Sequence, residues 1–286
     1  MGLSVVVPVR NGGMLLHAQL AALLAQEVGV PLEVIVADNG STDGTQRFVQ
    51  RLADADSRIR LVDASLRPGA AVARNRGIAA CRHPLVAVCD GDDIVSDGWA
   101  QATATALVAA PFVAGPLEYD RLNPFWASAV RNRSLEHGFM YVAGGPRWPY
   151  PFGCNTGMHK EVWERVGGYD EDLTGGGEDN DFSWLVRREL GVEPAWAPDA
   201  VVHYRCRQDL PDIYRQARAY GAGAVRLSVK WAGDWPVPPR PWGHLETAAR
   251  YFWMGLRRVR DRQSLASQVF RAGWQPGVAS AQDHAR

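Results

Sequence analysis

The sequence predicts an α/β fold in which a mostly parallel, Rossmann-like sheet is flanked by helices. Two observations carry this prediction. Short, nearly continuous apolar runs, typical of strands buried on both faces of a sheet, alternate with segments of helical spacing through residues 3–89. Acidic residues follow two of these runs directly, at Asp38 and Asp90. Because ligands bind outside the carboxyl ends of such strands, the acidic residues indicate a binding site at that edge.

The elements of the first part of the chain alternate regularly. The predicted strands are Leu3–Val9, Leu32–Ala37, Ile59–Asp63 and Pro84–Cys89, and the helices between them are Leu15–Ala25, Gly44–Ala53 and Ala70–Ala80. This alternation favours parallel strands joined by right-handed crossovers. No GxGxxG follows the first strand, so the fingerprint of dinucleotide-binding proteins is absent.

The pattern is less regular after Asp97. The predicted elements are helix Trp99–Ala109, strand Phe112–Glu118, turn Gly153–Met158, helices His159–Val166 and Glu178–Leu190, a strand-like run within Ala195–Tyr204, and helix Leu210–Trp231. A proline-rich linker, Pro236–Trp242, and a last helix, His244–Arg262, follow. We therefore predict one domain over residues 1–205, a helical C-terminal extension over residues 206–265, and a disordered tail over residues 266–286.

Composition narrows the function classes. Acidic and basic side chains balance to a formal net charge of zero in 286 residues, so we expect no nucleic-acid partner. The sequence has no uninterrupted apolar run of membrane-spanning length and starts without the charged region of a signal peptide, so we expect neither a span nor a signal. The four cysteines form no CxxC pair and are typical of reduced thiols in a cytoplasmic protein.

The stretch Val86–Asp93, VAVCDGDD, is an apolar run that ends in three aspartates. With the period of two along a strand, Asp90 and Asp92 point to the same side. Adjacent carboxylates repel each other, which favours a bound cation, and carboxylate oxygens suit a hard divalent ion. Taken alone, this spacing fits a solvated acidic turn equally well.

Seven motifs now occur in one order along the chain: VVVPVRN, ADNGSTDGT, ARNRGI, CDGDD, GCNTG, GGGEDNDF and VVHYR. Over roughly residues 1–205 the chain thereby resembles the family 2 glycosyltransferases. The resemblance implies a GT-A fold and an inverting transferase. Such an enzyme moves a sugar from a nucleotide-diphosphate donor, most commonly a UDP-sugar, to an acceptor hydroxyl.

The resemblance also implies which residues bind the donor. Asp38 contacts the nucleoside, Arg74 faces the donor, and Asp90 orients the ribose or a metal-bound water. The remaining residues predicted to bind the nucleotide-sugar are Pro8, Arg10, Asn11, Gly91, Asp92 and Asn155. Two alternatives stay open, because Asp38 could simply cap its turn and Arg74 could simply pair with Asp90 or Asp43.

The resemblance also implies which residues bind the metal and which take part in the reaction. The resemblance implies a divalent cation, Mn²⁺ or Mg²⁺, bound by Asp92 and His203. It makes Asp179 the base that deprotonates the acceptor, and Glu178 a contact of the acceptor hydroxyl or the donor sugar. The residues alone leave other roles open: His203 could be structural, and both acids could merely stabilise the first turn of their helix.

The acceptor is unassigned and could be a glycan, a lipid-linked sugar or a small molecule. A basic aromatic segment near the C-terminus could contact a membrane surface, which would place the protein at the inner face of the membrane, or could pack on the domain. Its residues are Arg250, Tyr251, Phe252, Trp253, Arg257, Arg258, Arg260, Arg262 and Arg271. Two further functions fit the same fold: a nucleotidyltransferase, and a catalytically inactive sugar-nucleotide-binding or scaffold protein.

Overall fold

A computed structural model describes residues 1–129, 133–142, 145–234 and 261–284. Its strands, in chain order, are β1 (Leu3–Val9), β2 (Leu32–Asp38), β3 (Ile59–Asp63), β4 (Leu85–Cys89), β5 (Ile94–Val95), β6 (Phe112–Ala114), β7 (Leu117–Glu118), β8 (Asn155–His159), β9 (Ala195–Trp196) and β10 (Val202–His203). Within these residues, one sheet has the order β3-β2-β1-β4-β8-β6-β9 and a small second sheet has the order β5-β10-β7.

Helices cover the larger sheet and extend beyond it. They are α1 (Gly13–Leu24), α2 (Thr45–Ala55), α3 (Ala70–Ala79), α4 (Trp99–Ala109), α5 (Phe125–Ser128), α6 (Lys160–Val166), α7 (Glu178–Leu190), α8 (Leu210–Lys230) and α9 (Arg262–His284), with a 3₁₀ turn at Arg133–Glu136. The mostly parallel α/β sheet predicted from the sequence is confirmed.

Apolar runs form β1, β2 and β4 because both faces of the sheet are buried. Val5 and Val7 of β1 point into one apolar layer, together with Leu16 and Leu20 of α1. Val6, between them, points into a second layer on the opposite face, together with Ile78 of α3. Alternate residues of one strand therefore pack into two apolar layers. The buried polar residues Ser4 of β1 and Glu33 of β2 are hydrogen-bonded to each other.

Two predicted elements are wrong. The turn predicted at Gly153–Met158 is β8, an antiparallel strand that pairs with β4 and β6. Asparagine and glycine are depleted in strands, so Asn155 and Gly157 hide the signal. The backbone of β8 is nevertheless paired on both sides, and at Gly157 any Cβ would lie only 2.9 Å from Val113 Cγ2. The strand predicted at Phe112–Glu118 divides into β6, which pairs with β8 in the larger sheet, and β7, which pairs with β10 in the second sheet. Pro116 between them has no N–H to donate to a strand ladder, and a Cβ on Gly115 would lie 2.0 Å from the carbonyl oxygen of Ala200.

The C-terminal part is helical as far as it is described. Where the sequence predicted a disordered tail from residue 266, α9 continues to His284 and packs along α8. Ala266 is fully buried, and Trp274 packs beside Val225 of α8, so tertiary contact with α8 stabilises a helix of weak amphipathic pattern. The predicted linker Pro236–Trp242 and nearly all of the predicted helix His244–Arg262, with most of the basic aromatic segment, lie outside the described residues.

None of the helices found in the described ranges is long and apolar enough to cross a membrane. Arg262, at the start of α9, lies over the ring of Trp126 at 4.2 Å from its centroid. At this position a basic residue of the C-terminal region thus packs against the domain.

The close packing of α3 on β1 gives a test of the fold. We expect Gly77→Ala to lower the free energy of unfolding by about 1–3 kcal/mol, because its Cβ would lie 2.3 Å from Cγ1 of the fully buried Val6. This cost outweighs the helix propensity gained, and corresponds to a melting point lower by several degrees in a thermal scan.

Gly29→Ala is the matched control, because a Cβ there meets only a side-chain oxygen at 3.6 Å. Equal melting points for the two variants would contradict the packing described for α3.

Candidate active site at the ends of β1 and β4

A pocket of about 470 Å³ opens where the strand order reverses, between the carboxyl ends of β1 and β4. In open α/β sheets this is the position at which ligands bind. Seven of the residues predicted to bind the donor line it: Pro8, Arg10, Asn11, Arg74, Asp90, Gly91 and Asp92. The backbone of Gly69 and Ala70, at the start of α3, completes one wall and turns the positive end of that helix towards the pocket.

Asp38 ends β2 beside this pocket. Its Oδ2 accepts hydrogen bonds from the amides of Gly40 and Ser41 and from the side chain of Gln46, so it does cap its turn. The other carboxylate oxygen, Oδ1, is buried and has no partner among the described residues. The capping role of Asp38 is therefore realised through Oδ2, and Oδ1 takes no part in it.

The loop after β1 is fixed by the loop after β2. Asn11 has the left-handed backbone conformation, with φ of 55°, which asparagine tolerates better than most residues. Its backbone N–H donates to Ser41 Oγ, and its Oδ1 accepts from the N–H of Thr42. Arg10 beside it is exposed at the rim of the pocket. Asn11 thus shapes the loop, and Arg10 is the side chain free to reach a ligand.

Arg74 of α3 is the buried cation of the site, with only 5% of its surface exposed. Its Nη1 lies 2.7 Å from Glu178 Oε1, and its Nη2 lies 3.3 Å from Asp90 Oδ1. The alternative that Arg74 pairs with Asp90 is therefore partly realised. The stronger contact is with Glu178, which the sequence analysis did not pair with it.

The three aspartates after β4 have different surroundings. Asp90 and Asp92 both line the pocket, as the period of two predicted, and their side chains are about one-third exposed. Asp93 does not line the pocket and is buried; its Oδ1 accepts from the backbone N–H of Arg205. Burial raises the pKa of Asp90 although Arg74 opposes this, and burial beside Asp92 and Asp90 raises the pKa of Asp93 well above its usual value.

The sequence analysis gave no role to two arginines that contact Asp92 at the pocket. Arg207 lines it and places Nη1 3.0 Å from Asp92 Oδ2. Arg205 donates from Nε to the carbonyl oxygen of Asp92. Both lie just after β10, in the sequence HYRCR. Two alternating arginines directly after a strand at the site are the sequence signal that could have predicted their role.

The acidic residues fit a divalent cation. Among the residues that the structure describes, Asp90, Asp93 and Cys154 bring one ligand atom each to within 4.8 Å of the others. Asp93 Oδ2 is buried there with no partner within the described ranges. Carboxylate oxygens suit Mg²⁺ or Mn²⁺, whereas burial raises the pKa of the Cys154 thiol and keeps it a poor ligand. Asp92, the predicted ligand, is not part of this group; it lines the pocket with Asp90 and pairs with Arg207.

His203 is held by two neighbours. Its Nδ1 lies 2.8 Å from Glu118 Oε2, and its Nε2 lies 2.9 Å from Nη1 of Arg121. Because a guanidinium only donates, Nε2 accepts and Nδ1–H donates to Glu118. A carboxylate on one ring nitrogen is the arrangement that orients a metal-binding histidine, but here Arg121 takes the position that an ion would need. The structural role of His203 is therefore realised, and its predicted role as a ligand requires Arg121 to move.

The acids of GGGED stand at the start of α7. Glu178 is buried against Arg74, and its Oε2 has no partner within the described part of the chain. Asp179 Oδ2 accepts from the backbone N–H of Gly153. Burial, reinforced by the neighbouring Glu178, raises the pKa of Asp179 to about 6. A carboxylate with this pKa is suited to take a proton near neutral pH.

Asn155 has a structural role that the sequence analysis missed. Its Nδ2 donates to the carbonyl oxygens of Pro116 and Ala200, and its Oδ1 accepts from Trp99 Nε1. These bonds join β8 to the chain around β7 and β10 and to α4. Asn155 has 2% of its surface exposed and both amide atoms bonded. It therefore holds β8 in place and offers no free group to a sugar donor.

The profile of glycosyl transferase family 2 matches residues 4–167, more than half of the chain. The chain belongs to glycosyl transferase family 2. The matched region contains β1, β2, α3 and β4, and therefore most of the pocket described above.

Curated relatives agree with this assignment. The pre-mycofactocin glycosyltransferase of Mycobacterium tuberculosis is 28% identical over 235 residues, which cover 79% of this chain and 47% of that protein. The validoxylamine A glucosyltransferase of Streptomyces hygroscopicus subsp. jinggangensis is 30% identical over 215 residues, covering 64% of this chain and 51% of that protein. The chain spans about half the length of these curated relatives.

Solved structures establish that the fold is GT-A. A mannosyltransferase from Pyrobaculum calidifontis, in complex with GDP-Man and Mn²⁺, superposes with a TM-score of 0.64 at 21% identity, covering 99% of this chain and 88% of that one. TarS 1–349 of S. aureus, in complex with UDP-GlcNAc, superposes with a TM-score of 0.58 at 14% identity, covering 100% and 93%.

The Arg207–Asp92 ion pair allows a test of whether Arg207 competes with a cation for Asp92. We expect Arg207→Ala to tighten the binding of Mn²⁺ alone about two- to fivefold, because Asp92 is released and the carboxylates lose a competing cation. This range corresponds to the roughly 0.4–1 kcal/mol typical of a partly exposed ion pair. Titration calorimetry without nucleotide measures it.

Arg165→Ala removes the same charge from an exposed position on α6 and is the control. Equal or weaker Mn²⁺ binding by Arg207→Ala, relative to this control, would contradict the competition between Arg207 and the ion.

Proposed function

We propose that this chain is a metal-dependent, inverting glycosyltransferase. It moves a sugar from a nucleotide-diphosphate donor, with a UDP-sugar the first to test, to an acceptor hydroxyl. The observation that carries the proposal is the connection of a nucleotide-sized pocket, which Asp90 and Asp92 line, to a carboxylate of raised pKa. Arg74 makes that connection, because it contacts both Asp90 and Glu178, the residue next to Asp179.

Donor binding follows from the residues that face the pocket. The unpartnered Oδ1 of Asp38 can accept a hydrogen bond from the base or ribose. The start of α3 and the guanidinium of Arg207 supply positive potential for the diphosphate. Asp90 and Asp92 would hold a divalent cation, which when bound neutralises charge on the leaving diphosphate.

Asp179 would act as the base. It takes the proton from the acceptor hydroxyl as that oxygen bonds to the anomeric carbon. The bond from that carbon to the donor phosphate oxygen breaks, and the nucleoside diphosphate leaves with the electron pair. Attack from the side opposite the leaving group inverts the anomeric configuration. The contact from Gly153 N–H and the buried Arg74–Glu178 pair keep Asp179 in place for this step.

Asp179→Asn tests the assignment of the base. We expect the substitution to lower transfer about 100- to 10,000-fold, because the amide cannot accept the proton, while nucleotide binding is kept. Release of nucleoside diphosphate from UDP-, GDP- and dTDP-sugars measures the rate.

Asp172→Asn makes the same chemical change at an exposed loop position and should leave the rate unchanged. Full transfer by Asp179→Asn would remove the base assignment. A wild type that binds nucleotide but transfers and hydrolyses nothing would favour the inactive scaffold instead.

The raised pKa predicts a pH profile. Since Asp179 with its pKa of about 6 is protonated below that pH, kcat should fall about tenfold per unit as the pH drops below 6 and be level above it. Initial rates at saturating donor, with melting points recorded at each pH, check this. The same acid limb in the residual activity of Asp179→Asn would show that another group titrates.

The metal and donor class are tested by thermal unfolding with UDP, GDP, dTDP and CDP, each with and without Mn²⁺. A nucleotide at about a hundred times its dissociation constant adds roughly 2.7 kcal/mol, or about 5–10 °C in melting point. We expect one nucleotide to stabilise only when Mn²⁺ is present, and Asp92→Ala to abolish the shift. Stabilisation that is equal without metal would contradict metal dependence.

A further inference from the structure

One face of α8 lies along the glycine loop, Gly175–Gly177, and the first turn of α7. The α8 residues that contact this region recur at helical spacing, which places them on a single side of the helix. From the N-terminal to the C-terminal end of that side, they are Ala219, Tyr220, Gly223, Arg226, Leu227 and Lys230, followed by Trp231 just after the helix. The loop that leads to the two acids therefore rests on the C-terminal extension over several turns.

The closest approach is between two glycines. A Cβ on Gly223 would lie 2.1 Å from the carbonyl oxygen of Gly176. Gly175, Gly176 and Gly177 all have positive φ, between 88° and 120°, a conformation that other residues rarely adopt. The backbone of the loop thus touches the backbone of α8, and only glycine on the helix allows it.

The first turn of α7 is held further along the same face. Asp181 is fully buried and accepts hydrogen bonds from Lys230 Nζ at 2.9 Å and from Trp231 Nε1 at 2.8 Å. Lys230 also pairs with Asp170, before the glycine loop. Both ends of the segment that carries Asp179 are therefore tied to α8.

The opposite side of α8 rests on α9. A Cβ on Gly273 would lie 2.5 Å from the carbonyl oxygen of Tyr214, and Trp274 packs beside Val225. Tyr214 and Val225 lie across the helix from Gly223. α8 thus has one close glycine contact with the glycine loop and another with α9.

We propose that α8 is the element that positions the base, and that Gly223 is its positioning residue. This inference rests on the proposed function, because it assigns α8 the task of keeping Asp179 at the reacting hydroxyl. The donor pocket is lined mainly by the loops after β1 and β4 and by α3, none of which is part of this contact. Arg207, which also lines the pocket, precedes α8 and is not among the residues that contact the glycine loop. The geometry therefore separates two properties: α8 governs the rate of transfer and leaves donor affinity alone.

Gly223→Ala is the decisive variant, because its Cβ requires the Gly176 backbone to move by more than an ångström to reach ordinary contact. A displacement of about this size lowers the rate on the order of 100-fold. We expect kcat for release of nucleoside diphosphate to fall about 10- to 100-fold. The dissociation constant of the stabilising nucleotide with Mn²⁺ should change less than about twofold.

Two matched variants separate positioning from general damage. Gly233→Ala, just after α8, meets no atom within 4 Å and should resemble the wild type. Gly273→Ala makes a similar clash on the α9 side, so it should lower the melting point but leave kcat of the folded protein within about twofold. A loss of kcat in Gly273→Ala equal to that in Gly223→Ala would overturn the proposal, since α8 would then act only through stability.

A milder variant covers the case in which Gly223→Ala does not fold. The exposed Arg226 donates to the carbonyl oxygen of Thr174, and Arg226→Ala removes this bond without adding bulk. We expect a severalfold lower kcat at unchanged nucleotide affinity; an unchanged kcat would overturn the proposal.

Hydrogen exchange separates failure of this inference from failure of the proposed function. Amides of residues 174–181 should exchange faster in Arg226→Ala and Gly223→Ala than in the wild type, whatever reaction the protein catalyses. Unchanged exchange there overturns the contact with α8. Faster exchange in a protein whose wild type transfers no sugar leaves the contact intact and rejects the glycosyltransferase.

Discussion

The buried guanidinium of Arg74 is the constraint on which the rest of the site depends. It lies between Asp90, at the end of β4, and Glu178, at the start of α7, with 5% of its surface exposed. Removing one partner of a buried ion pair costs about 3–5 kcal/mol, because the other charge is left uncompensated. The pocket at the ends of β1 and β4 and the first turn of α7 are therefore connected by one side chain.

Opposite charges and hydrogen bonds also stabilise the three aspartates that follow β4. Three aspartates within four residues are tolerated because each has a different partner. Asp90 pairs with Arg74 and Asp92 pairs with Arg207, whereas Asp93 accepts a hydrogen bond from the backbone N–H of Arg205. The arginines come from α3 and from the segment after β10, so distant parts of the chain neutralise a local excess of negative charge. A divalent cation at this site would replace part of the positive charge that these arginines supply.

The C-terminal region takes part in this arrangement through backbone contacts. Gly176 and Gly223 approach so closely that no side chain fits between them, and Lys230 neutralises the buried Asp181 in the first turn of α7. Glycine loops allow unusual backbone conformations at an entropic cost. Here the cost is offset by packing against a helix, which makes an intrinsically flexible loop a defined part of the site.

The sequence by itself determined the mostly parallel sheet and most of the residues that line the pocket, because apolar runs that end in Asp38 and Asp90 follow directly from burial on both faces of parallel strands. It also determined that α7 begins at the acids, through the glycines before them. Only the tertiary structure decided the partners. That Arg74 meets Glu178, that Asn155 is bonded within the core, and that β8 is a strand all depend on residues distant in sequence. Local patterns report burial and backbone preference, whereas hydrogen bonds and ion pairs depend on which elements the fold brings together.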